Sequence, residues 1–71
     1  WYLSKIKMIW TDVNEIAIEL YEKYPDTDPT YILFTDLQRM VTELENFEDE
    51  KDRVNERILE TIQMLWLEER D

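Results

Sequence analysis

Asp12, Glu15, Glu19 and Glu22 follow one another at spacings of 3, 4 and 3 residues. At about 100° per residue that places four carboxylates along one stripe of a helix. Adjacent members, Asp12 with Glu15 or Glu15 with Glu19, can offer oxygen to a hard cation such as ferrous or ferric iron, Mg, Mn or Ca. Such a site is expected to be weak, because exposed Glu side chains lose rotamer freedom on ligation and no buried shell fixes them. The same stripe can instead steer and hold a basic protein surface, with marked salt sensitivity. The plain alternative is a solvated helix face that serves solubility. An EF-hand is excluded: counting from Asp26, the required Gly falls on Tyr31 and the terminal Glu on Leu37.

Other chemistries are removed by what the chain lacks. Its 71 residues contain no Cys, no His and no Gly. Disulfides, thiolate nucleophiles, thiolate metal sites and the usual imidazole base are absent, as are glycine-rich phosphate loops. Paired carboxylates can hydrolyse glycosides when they flank a cleft, but a chain this short leaves little room for one. A binding or regulatory module without enzymatic activity is expected. A domain of this size buries only about 60% of its unfolded surface, so most large apolar residues are needed in the core. Trp10, Trp66, Phe34, Phe47 and the tyrosines are accordingly read as core. No apolar run approaches a membrane span, and residues 1–7 are too short and too lightly charged for a signal peptide. The expected protein is a soluble monomer, and the absence of Cys fits a reducing compartment such as the cytoplasm.

Net charge is minus ten, from 18 acids and 8 bases, and it is unevenly placed. Residues 12–50 carry twelve acids against Lys23 and Arg39, which accounts for the full minus ten; residues 1–11 and 51–71 cancel each other.

Three helical patterns position these charges. Val13, Ile16, Ala17, Leu20, Tyr21 and Tyr24 form an apolar face, with Thr11 as the expected N-cap and Pro25 as the stop. Asp26 and Asp28 favour a turn, and Tyr31-Ile32-Leu33 is β-prone. Thr35-Asp36-Leu37-Gln38 has the form of a capping box opening a second helix with Leu37, Met40, Val41 and Leu44 inward. Phe47 is expected to return to the core ahead of the acidic run Glu48, Asp49 and Glu50. A third helix is expected over Asp52–Glu69, with Arg53–Glu56 and Arg57–Glu60 as internal pairs. The fold class is therefore mainly α: a small three-helix domain with a short extended segment.

The order of motifs resembles a known family. Trp10-Thr11-Asp12 opens a helix, Tyr24-Pro25-Asp26 with Asp28-Pro29 closes it, and Phe34-Thr35-Asp36 opens the next. Phe47 with its acidic run, Asn55-Glu56, Ile58-Leu59-Glu60 and Trp66-Leu67 complete the series. Together, over about residues 8–71, they resemble the IscX family of bacterial iron-sulphur cluster assembly. The resemblance implies a modified winged-helix fold, weak iron binding, and docking through acidic residues on the cysteine desulfurase, with the family acting as iron-dependent modulators of its activity or as iron donors in cluster assembly. The cluster scaffold protein is a further implied partner. Residues 1–7 fall outside the resemblance and read as an extension or remnant. Leu33 stands where the family commonly has a basic residue, Gln38 where a His is common, Met40 for a Trp, Lys51 for a Pro and Val54 for a Ser. With Gln38 in place of His, any metal site rests on oxygen alone.

On this reading Asp12, Glu15, Glu19 and Glu22 are the candidate iron ligands. The partner surface comprises the same four with Asp26, Asp28, Asp36, Glu48, Asp49 and Glu50. Asp26 and Asp28 have a competing role as turn formers, and Asp12 and Asp36 as residues that complement a helix dipole. The competing function is a general acidic interaction module, such as a nucleic-acid mimic, without a metal role. Direct nucleic-acid binding is opposed by the charge, since the second helix offers only Arg39 to phosphates.

Overall fold

Apolar residues at helical spacing build three helices in the computed structural model, which describes residues 7–70. The expected extension over residues 1–7 lies outside the described residues except for Lys7. Helix α1 spans Val13–Lys23, α2 spans Phe34–Thr42 and α3 spans Glu56–Arg70; single 3-10 turns occupy Pro29–Tyr31 and Lys51–Arg53. Among the described residues there is no β-hairpin, and the one β-type pairing is an isolated parallel bridge between Met8 and Phe47.

The core forms where the three apolar faces meet. Ile16, Ala17 and Leu20 come from α1, Leu37, Met40 and Val41 from α2, and Leu59, Ile62 and Trp66 from α3. Val13, Tyr21 and Tyr24 complete the α1 face as partly buried residues. Pro25 stops α1 as expected: Tyr24 still donates its N–H to the Leu20 carbonyl, 2.8 Å, but has left helical backbone geometry. Asn55 opens α3, its side-chain oxygen accepting the Ile58 N–H at 2.9 Å.

Several expected boundaries move. Asp12, not Thr11, precedes α1, and its carboxylate does not cap the helix. It turns back to accept the Ile9 N–H at 3.0 Å, closing a turn in which Asp12 N–H also donates to the Ile9 carbonyl. The second helix opens one residue before the presumed capping box, with Leu33 as an N-cap that offers no side-chain acceptor. Residues 51–53 form a separate 3-10 turn, so the third helix begins at Glu56 rather than Asp52. Arg53 therefore lacks the helical geometry that would set it beside Glu56, and pairs with Asp49 at 3.7 Å. No ion pair joins Arg57 to Glu60 among the described residues. Ile32 and Leu33 are extended as expected, but Tyr31 ends a 3-10 turn and is 93% exposed, so it is not a core residue.

A strap from the N-terminal side closes the domain. Met8 exchanges backbone hydrogen bonds with Asn46 and Glu48, at 2.8 and 2.9 Å, and buries its side chain beside Trp10 and Phe47. Trp10 meets Phe47 edge-to-face, with centroids 4.8 Å apart, and its indole N–H donates to the Glu50 carbonyl at 2.7 Å.

Candidate functional site

Helix α1 presents its carboxylates because its opposite face is committed to α3 and the core. Glu15 and Glu22 are exposed; Asp12 and Glu19 are half-buried. Glu15, Glu19, Glu22 and Asp26 make no ion pair among the described residues. Lys23, the one cation of α1, is drawn elsewhere: its ammonium donates to the Glu43 carbonyl at 3.3 Å and lies 5.5 Å from the Tyr24 ring centroid. The stripe therefore keeps its negative potential.

The remaining acids are more engaged. Asp36 and Glu43 share Arg39, at 3.8 and 3.6 Å, and Glu48 faces Lys7 at 3.5 Å. Asp28 accepts both the backbone N–H and the hydroxyl of Thr30, which forms the turn into Pro29 and holds the Asp28 carboxyl below the ordinary carboxylate range. Asp49 is the most enclosed, its side chain only 14% exposed. Its carboxylate accepts the Trp10 N–H at 3.2 Å and the Glu50 N–H at 2.7 Å. These bonds, led by that from Trp10 and assisted by the Arg53 charge, lower its pKa.

A carboxyl with a lowered folded-state pKa stabilises the fold above its unfolded value, about 4, and that contribution is lost as pH falls through the folded value. Asp49→Asn is expected to lower Tm at neutral pH and to flatten the acid limb of the Tm–pH profile. Parallel profiles for wild type and variant would show that Asp49 carries no such linkage.

An open groove lies between α1 and the turn after α2, lined by Glu19, Glu22, Lys23, Glu43, Leu44 and Glu45. It extends the acidic surface of α1 onto residues that helical periodicity did not single out. Glu43 and Glu45 were visible only as part of the charge excess over residues 12–50, since they meet α1 through the tertiary fold.

Carboxylate oxygens suit hard cations, but among the described residues no three Asp or Glu side chains converge on a point where one ion would sit. The stripe offers neighbouring pairs, Asp12 with Glu15 and Glu15 with Glu19, and no preformed cage.

A family model described as iron-sulphur cluster assembly matches residues 8–71. The chain belongs to that family, the IscX family. It is similar to an uncharacterised protein of Pseudomonas aeruginosa, 55% identical over 62 residues, which cover 87% of this chain and 94% of that protein. Membership in the IscX family places the chain in iron-sulphur cluster assembly. None of the described helices is long and apolar enough to cross a membrane.

Proposed function

We propose that the chain is an acidic adaptor of iron-sulphur cluster assembly that docks through α1 on a basic surface of a cysteine desulfurase and modulates sulphur release. One observation carries this reading: among the described residues the carboxylates of α1 make no ion pair, while Arg39, Arg53 and Lys7 are each engaged with acids outside α1. An unneutralised stripe on a rigid helix gives a basic partner both a steering field and a fixed register of contacts. Asp26 and the groove residues Glu43 and Glu45 widen the surface, and the scaffold protein is a second candidate partner. Such a role belongs in the cytoplasm. Binding of purified desulfurase to the wild-type chain and to Glu15→Lys/Glu19→Lys/Glu22→Lys tests it, with loss of binding in the variant as the expected result.

Iron enters this reading as a weakly held ion shared by neighbouring carboxylates of α1, delivered or sensed. The second reading is a general acidic interaction module without a metal role, and among the described residues no three carboxylates converge on one point. Titration with Fe(II) separates the two. Backbone NMR signals from Asp12 to Glu22 are expected to shift or broaden before those of α3; unchanged α1 signals would remove iron from the proposal.

A further inference from the structure

Two exposed apolar side chains stand at a place where the local rules of folding ask for something else. Tyr31 is 93% exposed and Leu33 66% exposed, although a domain of this size needs its large apolar residues inside. The backbone dictates the arrangement. Ile32 and Leu33 are extended, so their side chains take opposite sides, Ile32 against the core and Leu33 outward, and Tyr31 at the end of the 3-10 turn is exposed beside them in sequence.

Leu33 also occupies the N-cap of α2, where Ser, Thr, Asp or Asn would accept a first-turn N–H and Leu accepts none. Positions that break a local folding rule are expected to be functional or strained, which directs attention to Leu33.

The segment that carries the pair is held firmly. Gln63 donates to the Pro29 and Thr30 carbonyls at 2.7 and 3.0 Å, and Arg70 to the Pro25 and Thr27 carbonyls at 3.3 and 2.7 Å. Pro29 is buried and Asp28 fixes the turn before it. Presentation on a fixed segment reduces the ordering cost of docking, and an exposed Tyr is a favoured anchor.

Charge selects the occupant. Along the chain the pair lies between Asp26 and Asp28 on one side and Asp36 on the other. Two cations that meet this stretch of acids and turns are already engaged, Arg39 by Asp36 and Glu43, and Arg70 by the Pro25 and Thr27 carbonyls. A second copy seated on this surface would set these acids against their own counterparts.

We propose that Tyr31 and Leu33 are an apolar contact pair that enters a hydrophobic hollow bordered by Lys or Arg side chains on the same basic partner that α1 engages; the proposal rests on the docking reading above. In this arrangement the acidic surface sets the encounter and the apolar pair sets the lifetime of the complex.

The test measures association and dissociation of purified cysteine desulfurase with the full chain, Leu33→Ser and Tyr31→Ser/Leu33→Ser, at low and physiological salt. The double variant is expected to dissociate about tenfold faster or more, with an unchanged association rate and salt dependence because no charge is altered. Leu33→Ser is expected to raise Tm, since Ser caps α2, so weaker binding by that variant cannot be assigned to unfolding. Dissociation at the wild-type rate in the double variant overturns the inference and leaves α1 docking intact. Absence of binding by every form, wild type included, removes the docking reading and this inference with it. Wild-type dimerisation that the double variant abolishes would assign the pair to a second copy and also overturn the proposal.

Discussion

Trp10→Ala is expected to leave the chain without a cooperative unfolding transition at 25 °C. The indole is 1% exposed, packs edge-to-face on Phe47, and donates its N–H to the Glu50 carbonyl. Truncating a buried Trp costs about 3–5 kcal/mol. A single core of this size rarely supplies more than about 3–5 kcal/mol in total, so one substitution removes most or all of the margin. The loss also spreads. The Trp10 backbone places its N–H on Asp49, and the indole holds the carbonyl of Glu50, so the strap and the 48–53 segment are expected to loosen together. Trp10→Phe keeps the ring packing and removes the donor, at a cost of about 1 kcal/mol, which a folded but less stable protein survives. Urea unfolding followed by far-UV circular dichroism ranks the three forms. A wild-type midpoint for Trp10→Ala would mean that the strap contributes nothing to the domain.

Trp10 also shows where a sequence stops informing about its own fold. Its burial is readable from size and composition, but its partner Glu50 lies forty residues away and is chosen by the return of the chain after α2. The three apolar faces were legible because helical periodicity is local, and Pro25 ended α1 for a local reason. Helix starts were not, because a cap is a competition. Asp12 has the right chemistry to cap α1, yet its carboxylate goes to Ile9, and Leu33 precedes α2 despite being a poor cap. The acidic stripe on α1 was legible as a spacing. That Lys23 would leave it for the Glu43 carbonyl was not, nor that Asp49, in an acidic run assigned to the partner surface, would be tied to the Trp10 and Glu50 N–H groups. Tyr31 was assigned to the core from its residue type. Its exposure follows from backbone geometry across the turn from Pro29 to Leu33, which composition does not encode.

Charge reversal on α1 is expected to have the largest effect on function, and a matched reversal on α3 separates its two causes. Glu15→Lys/Glu19→Lys/Glu22→Lys changes the formal net charge from minus ten to minus four, two units for each substitution. Steering by surface charge raises association rates by about 10- to 1,000-fold, and at physiological salt the field reaches about 8 Å. A variant that lost only long-range attraction would associate more slowly and dissociate at the wild-type rate. If α1 is the docking face, its reversal also sets like charges against each other in the complex, and dissociation accelerates as well. Glu56→Lys/Glu60→Lys/Glu68→Lys reaches the same net charge by changing three exposed residues of α3. Binding by the α1 variant is expected to fall at least 100-fold and its residual salt dependence to flatten, while the α3 variant loses no more than about tenfold, all of it in association. Equal losses in the two variants would reduce the role of α1 to its share of the net charge. A larger loss for α3 would move the docking face to the other side of the domain. The variants change positions that are exposed or, for Glu19, half-buried, on helices whose buried faces stay intact, so Tm is expected to remain near wild type, and for the α1 variant to rise as repulsion among its carboxylates and those of the groove is relieved.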